Sequence, residues 1–246
     1  LPLSEIRNFR QWGSKTPGHP EVHHTVGVET TTGPLGQGVA NAVGFAVAEA
    51  HLAATFNRDG FTVVDHYTYF IAGDGCLMEG ISHEAASYAG HFGLGKLIGF
   101  FDDNRITIDG STDLSCTDDA AKRFEAYGWQ VLHVADVNDL DSIDAAIAAA
   151  KSDTSRPTMI ITRTHIGFGS PNRQDTAKAH GEPLGKDEIA LTKAAYGWTY
   201  PDAFTVPDEA RAHWSEQVAE RAASHAEWKT LWSAYSTAHP ELAAEF

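Results

Sequence analysis

The chain is poor in cysteine, poor in positive charge and short of long apolar runs, and each shortage excludes something. With Cys76 and Cys116 as its only two cysteines, the 246-residue sequence offers no disulfide framework, so a reducing cytoplasm is the expected compartment. Lys and Arg total 18 against 33 Asp and Glu, a formal net charge of −15. Without clustered cations the chain is not expected to bind nucleic acid, because a phosphate backbone demands them. No apolar run is read as approaching the roughly 20 residues of a bilayer span, and no signal-peptide pattern opens the chain, so no membrane role is expected. The GxxxxGK[ST] pattern of a P-loop is absent, as is a dinucleotide fingerprint at usable spacing. An acidic chain of this kind can hold an anionic ligand only where a metal ion and aimed backbone N–H groups neutralise it locally.

What is present fits one large α/β domain. Hydrophobic residues make up 42% and charged residues 21% of the sequence, ordinary values for a globular protein. The run His66–Ala72 is apolar and stops in Gly73-Asp74-Gly75; the run Leu97–Asp103 stops at Asn104. As neighbouring strands of a parallel sheet they would bring Asp74 and Asn104 together as two hard oxygen ligands, which suit Mg²⁺ or Ca²⁺. A Gly-Asp-Gly by itself is more often a tight turn. The second arm ending in asparagine, with a helix-like segment 79–92 between the two, favours the metal site.

The rest of the chain supports the same architecture. Residues 3–12 read as a short amphipathic helix, with Leu3, Ile6, Phe9 and Trp12 at helical spacing. Gly13–His24 is loop and holds His19, His23 and His24. Thr30–Gly38 is glycine-rich and feeds the helical run Val39–Phe56, a geometry that cradles anions but is equally a close-packing turn. Glu79–Phe92 reads as a helix with Ile81, Ala85, Tyr88 and Ala89 on one face and Glu79, His83 and Glu84 near its start; acidic groups there are also ordinary partners of the helix dipole. Beyond Asn104, Arg105–Gly110 turns away. Thr117–Asp119 caps a helix to Tyr127, Trp129–Val134 and Thr158–Thr164 are strands, and Asp139–Lys151 is a helix between them. The alternation implies an α/β fold with a parallel sheet covered by helices on both faces. Residues 165–185 form a long irregular segment after a strand, on the edge where ligands bind in such sheets, and His180 lies in it. Lys186–Gly197 and Pro207–Phe246 are helical.

These motifs resemble transketolase. GHPE (Gly18–Glu21), TTGPLGQG (Thr31–Gly38), GDGCLMEGISHEA (Gly73–Ala85), DDNRITIDG (Asp102–Gly110), YGW (Tyr127–Trp129), IGFGS (Ile166–Ser170) and HGEPLG (His180–Gly185) stand in that family's order over nearly the whole chain. The resemblance implies the thiamine-diphosphate-binding fold of the family's N-terminal, or PP, domain. It divides the chain into residues 1–206 as that domain, lacking the family's first segment, and 207–246 as a helical tail leading towards a linker. It further implies that Asp74, Asn104 and the carbonyl of Ile106 ligate Mg²⁺ or Ca²⁺, and that the Gly75 amide meets the diphosphate. Gly33, Pro34 and Leu35 would line the cofactor site. His19 and His180 would be active-site histidines, His180 touching cofactor and substrate. Glu79 and Glu84 would lie at a homodimer interface, linking two active sites.

The implied reaction moves a two-carbon ketol unit from a ketose phosphate to an aldose phosphate, with the cofactor as electron sink, as in the pentose phosphate pathway and the Calvin cycle. The family's chain begins earlier and carries a second, pyrimidine-binding domain that supplies the activating glutamate. The opening Leu1-Pro2-Leu3 lacks a methionine, so the sequence is processed or part of something longer. By itself it is expected to bind cofactor weakly and to turn over nothing. Other readings stay open: a dihydroxyacetone-synthase-like transketolase, a split enzyme, a non-catalytic cofactor-binding module, or an assembly role for Trp214–Phe246. Deoxyxylulose-phosphate synthase fits less well, since its sequence after Gly-Asp-Gly lacks EGIS.

Overall fold

The computed structural model describes residues 1–246, which divide into two compact units. The first comprises Leu1–Ala46, Tyr67–Phe168 and Arg173–Pro183; the second comprises Val47–His66, Gly169–Asn172 and Leu184–Phe246.

In the first unit, helix α1 (Leu3–Arg7) and the start of α2 (Gln37–Phe56) precede strand β1 (Thr68–Gly73). That strand runs directly into α3 (Asp74–Met78) and α4 (Gly80–His91). Strand β2 (Leu97–Asp103) is followed by a small antiparallel hairpin, β3 (Ile106–Thr107) and β4 (Gly110–Ser111). Helix α5 (Ala120–Ala126), strand β5 (Gln130–Val134), helix α6 (Leu140–Ser152), strand β6 (Thr158–Arg163) and helix α7 (Ala177–Gly181) complete the unit.

The main sheet has the order β1-β2-β6-β5 and every pair is parallel. Its two inner strands are buried along most of their length, which is why both read as almost unbroken apolar runs. Ile98, Ile160 and Val134 of three strands meet Ala146 and Ala150 of α6, whose small side chains let that helix lie close to the sheet. Gly99 is required in β2, since any side chain there would run into the ring of Phe70. Two helix starts follow from local sequence: Asp119 Oδ1 accepts from Lys122 N at 3.1 Å, and Asp139 Oδ1 from Ser142 N at 3.2 Å. Trp129, 2% exposed, donates Nε1–H to the Ala86 carbonyl at 2.8 Å and pins α4 beside the start of β5.

The structure corrects three expectations. The first helix ends at Arg7 rather than continuing to Trp12, because Arg10 (φ +61°) and Gly13 (φ +74°) turn the chain; Leu3, Ile6, Phe9 and Trp12 are all exposed. In α4 the buried positions are Ser82, Ala86 and Ala89, while Ile81 and Tyr88 are exposed. Gly90 shows why: any larger side chain would strike the Tyr127 carbonyl, so only a face of small residues can approach that closely. Finally, α2 has 20 residues and is long and apolar enough to cross a membrane by length and composition, contrary to the reading of the bare sequence. The buried helix of a globular protein meets the same criterion, and Val39, Ala42, Val43 and Ala46 of its first half are buried in protein.

The second unit holds the later half of α2, helix α8 (Lys186–Ala195), the 31-residue α9 (Asp208–Ala238) and α10 (Pro240–Glu245). Phe56, Val63, Val64 and Tyr235 form its core, with Leu231, Trp232 and Leu242 packed around them. Tyr235 donates its hydroxyl to the Phe56 carbonyl at 2.7 Å and Trp228 Nε1–H to that of Val63 at 3.0 Å. Glu188 of α8 accepts from the Ser170 hydroxyl and, at 2.9 Å each, from the backbone and side-chain N–H groups of Asn172.

Candidate cofactor and metal site

The parallel pairing of β1 with β2 sets Gly73 opposite Asp102, so the residues that follow the two strands emerge at one edge. Asp74 opens α3 there. Its Oδ2 accepts the backbone N–H of Arg105 at 3.1 Å, which ties the end of the first strand to the turn after the second. In that turn Arg105 has φ +62°, and Asn104 Oδ1 accepts from Ile106 N at 2.9 Å while its Nδ2 donates to Asp102 Oδ1 at 3.4 Å. Burial raises the Asp74 carboxyl above its usual range, and the charges of Asp103 and Asp102 add to this, against the lowering effect of the Arg105 N–H. Negative charge is therefore in excess at a partly buried point, and a hard divalent cation would relieve it.

The donor chemistry fits such a cation. A carboxylate, an amide oxygen and the Ile106 carbonyl are all hard oxygen donors, the class that Mg²⁺ and Ca²⁺ take. Nowhere do three His, Cys, Asp or Glu side chains gather into a metal cage, so a softer transition-metal site has no counterpart here. With so few protein donors, a bound cation would complete its shell from ligand or water oxygens.

Other candidate residues are drawn to this edge by close contacts. Thr32 N donates to the Pro20 carbonyl at 3.2 Å, joining the loop of His19 to the loop of Gly33, Pro34 and Leu35. Gly33 has φ +133°, and a Cβ added to it would lie 2.6 Å from His19 Cγ, so the imidazole rests directly on the glycine. Gly75 faces Leu35, whose Cδ1 would be 3.5 Å from an added Cβ. Helix α7, which carries His180, reaches the hairpin through Gly181, where an added Cβ would lie 3.6 Å from Ile108 Cγ1. Contacts thus connect His19 with Gly33, Leu35 with Gly75, Asp74 with the 104–106 turn, and the helix of His180 with the hairpin beyond it.

Glu79 and Glu84 are placed differently. Glu79 lies beside Gly36, where its Cβ would be 2.8 Å from one added to the glycine. Glu84 lines an open cleft with His83, Ser87, Tyr88, His91 and Tyr127. His83 Nδ1 is 3.0 Å from the Tyr127 hydroxyl and its Nε2 accepts from Arg123, which also pairs with Asp118 at 3.2 Å. Asp74, Gly33 and Pro34 are divided between two cavities. One of about 540 Å³ includes Asp74, Asp103 and Arg105 and extends under residues 112–121; another of about 390 Å³ includes Gly33 and Pro34 beside β1; neither is lined by His19 or His180.

Some participants escaped the sequence reading. The Asp102 and Asp103 carboxylates bias Asp74, and Thr164 donates its hydroxyl to Asp102. Their run before Asn104 was visible, but which side each faces depends on strand register. The pairing of His165 with Asp175, ten residues apart in an irregular segment, carried no recognisable signal.

Together these features define an α/β ligand-binding domain whose oxygen-rich site lies at the carboxyl ends of adjacent parallel strands. The family model described as "Transketolase, thiamine diphosphate binding domain" matches residues 1–246, and the chain belongs to that family. It is 55% identical to a transketolase of Geobacillus stearothermophilus and 57% identical to one of Halalkalibacterium halodurans, covering all of this chain and 37% of each relative. A crystal structure of Pichia stipitis transketolase in complex with sedoheptulose 7-phosphate superposes with a TM-score of 0.96 at 48% identity, over 100% of this chain and 36% of that one. The chain therefore spans little more than a third of the length of these relatives.

Proposed function

We propose that this chain supplies the diphosphate- and metal-binding half of a transketolase active site, in a protein that transfers a two-carbon ketol unit from a ketose phosphate to an aldose phosphate. The observation that carries the reading is the junction of Asp74 with the 104–106 turn at the shared end of β1 and β2, in a chain matched throughout by the thiamine-diphosphate-binding family. The sugar-phosphate class is supported by the sedoheptulose 7-phosphate held by the Pichia stipitis relative.

On this reading Asp74, Asn104 and the Ile106 carbonyl hold Mg²⁺ or Ca²⁺, and the Gly75 amide meets the diphosphate. Gly33, Pro34 and Leu35 form the wall over which the cofactor lies. Bound thiamine diphosphate supplies a carbon nucleophile for the ketose carbonyl and a sink for the electron pair of the broken C–C bond. The chain's own residues position and protonate. His19, held against Gly33, and His180, on α7, move protons to and from the sugar's hydroxyl and carbonyl oxygens, work suited to an imidazole, whose two ring nitrogens can donate and accept.

The exposed Ile81 and Tyr88 on α4 and Phe92 just beyond its end, with Glu79 and Glu84 near its start, support a homodimer contact there. A pyrimidine-binding domain, from the rest of the protein or another chain, completes the site. Residues 1–206 are the cofactor-binding domain and 207–246 a helical tail towards a linker. The protein works in the cytoplasm, and the 246 residues alone turn over nothing. The test is ketol transfer from sedoheptulose 7-phosphate to an aldose phosphate by the whole protein, with calorimetric binding of thiamine diphosphate in Mg²⁺. Asp74→Ala should abolish both; undiminished binding in that variant would refute the metal assignment, and no transfer by the wild-type protein would refute the activity.

A further inference from the structure

The segment that follows β6 doubles back on itself, and a hydrogen-bonded pair and an ion pair close it. Asp175 N donates to the Ile166 carbonyl at 3.0 Å, and both carboxylate oxygens of Asp175 lie 2.9 Å from His165 Nδ1. Further on, Arg173 NH1 meets Glu182 Oε2 at 2.9 Å, spanning helix α7 between them. Asp175 sits at φ +57°, a left-handed conformation that glycine adopts freely and other residues rarely do. Aspartate is among the few L residues that enter this region, and here both of its carboxylate oxygens meet His165. A carboxylate only accepts, so His165 Nδ1 carries the proton and the ring orientation is set.

What the doubled-back segment holds is α7. Gly167, at φ +64°, faces this helix so closely that an added Cβ would be 2.9 Å from that of Ala179. On its other side Gly181 meets Ile108 of the hairpin turn. The helix is thus gripped between the 166–167 turn and the hairpin, and it carries His180.

We propose that His165 and Asp175 are positioning residues: their pair clasps the 165–183 segment and so fixes α7, and with it His180, for the ketose phosphate. The role of His180 rests on the functional reading above; the clasp itself does not. The His165 and Asp175 side chains are each more than 40% exposed, so the pair is one of modest strength.

Amide exchange and trypsin digestion of the whole protein read the clasp without an activity assay. Asp175→Gly should raise exchange across Ala177–Gly181 and cleavage after Lys178 about fivefold, which corresponds to about 1 kcal/mol. It should leave Tm unchanged or raised, because glycine suits the backbone there. His165→Phe should do the same, and the double variant should do no more than either single one. Asp175→Asn, which keeps an acceptor, should restore most of the protection. In the enzyme assay kcat/KM for the ketose phosphate should fall about fivefold in Asp175→Gly and recover in Asp175→Asn. Unchanged exchange in both single variants, or additive effects in the double, overturns the clasp. Faster exchange with unchanged kinetics overturns the positioning role. If the wild-type protein transfers no ketol unit, the functional reading fails while the exchange data still decide the clasp.

Discussion

Gly33→Ala separates two costs at the contact between the glycine loop and His19. The first is backbone strain: φ of +133° is outside the range of L residues, and holding alanine there costs on the order of 1–3 kcal/mol. The second is steric: the new methyl would sit 2.6 Å from His19 Cγ and 2.8 Å from Cδ2, where ordinary contacts begin at 3.4 Å. The imidazole must retreat by about 1 Å; on the proposed role of His19 in proton transfer, a displacement of that size lowers turnover on the order of 100-fold. The assay is kcat/KM for ketol transfer, measured for Gly33→Ala in the wild type and again in a His19→Ala background. We expect a loss of about 100-fold in the first and no more than about tenfold in the second, since once the ring is gone only strain and the 3.0 Å contact with the Cβ of residue 19 remain. Equal losses in both backgrounds would show that the ring and the glycine are not coupled, and would refute the placement of His19 against the cofactor loop.

Asp74→Asn should raise the Tm of the metal-free protein at neutral pH while weakening its response to Mg²⁺. The folded pKa of Asp74 lies above its unfolded value, so this group lowers stability as pH rises from about 3.8 through the folded pKa; a Tm no higher than wild type would contradict that sign. Asp153 behaves oppositely. Hydrogen bonds from Ser155 first, then Arg156, lower its pKa to about 2, so its contribution is complete above about 4 and is lost as pH falls towards 2. A carboxyl NMR titration of Asp153 with a midpoint near 4 would refute this. Trp129→Phe removes the bond to the Ala86 carbonyl and part of a fully buried ring, and should cost about 2–3 kcal/mol in urea unfolding; a change under about 0.5 kcal/mol would mean that the indole does not anchor α4.

Much of the architecture could be read from local chemistry. The strands β2 and β6 announced themselves as continuous apolar runs, and Asp119 and Asp139 marked helix starts that the structure keeps. The family resemblance rested on residues contiguous in sequence. Local pattern failed where burial depends on what lies opposite. Ile81 and Tyr88 are apolar and helically spaced, yet the buried face of α4 belongs to Ser82, Ala86 and Ala89, because only small side chains fit against the Tyr127–Trp129 segment. Leu3, Ile6, Phe9 and Trp12 have helical spacing too, but Arg10 takes a left-handed conformation that no periodicity foretells.

By itself, then, the sequence determined the class of the sheet and, to within a residue, the carboxyl ends of its strands, with Asp74 and Asn104 just beyond two of them. These depend on side-chain chemistry and on periodicity along a few neighbouring residues. Tertiary structure decided the rest: that Arg105 N–H closes on Asp74 across 31 positions of sequence, that His19 lies on Gly33, and that His165 meets Asp175. Those contacts are set by strand register and by the left-handed turns at Arg105 and Asp175, and such turns are stable only when distant partners hold them.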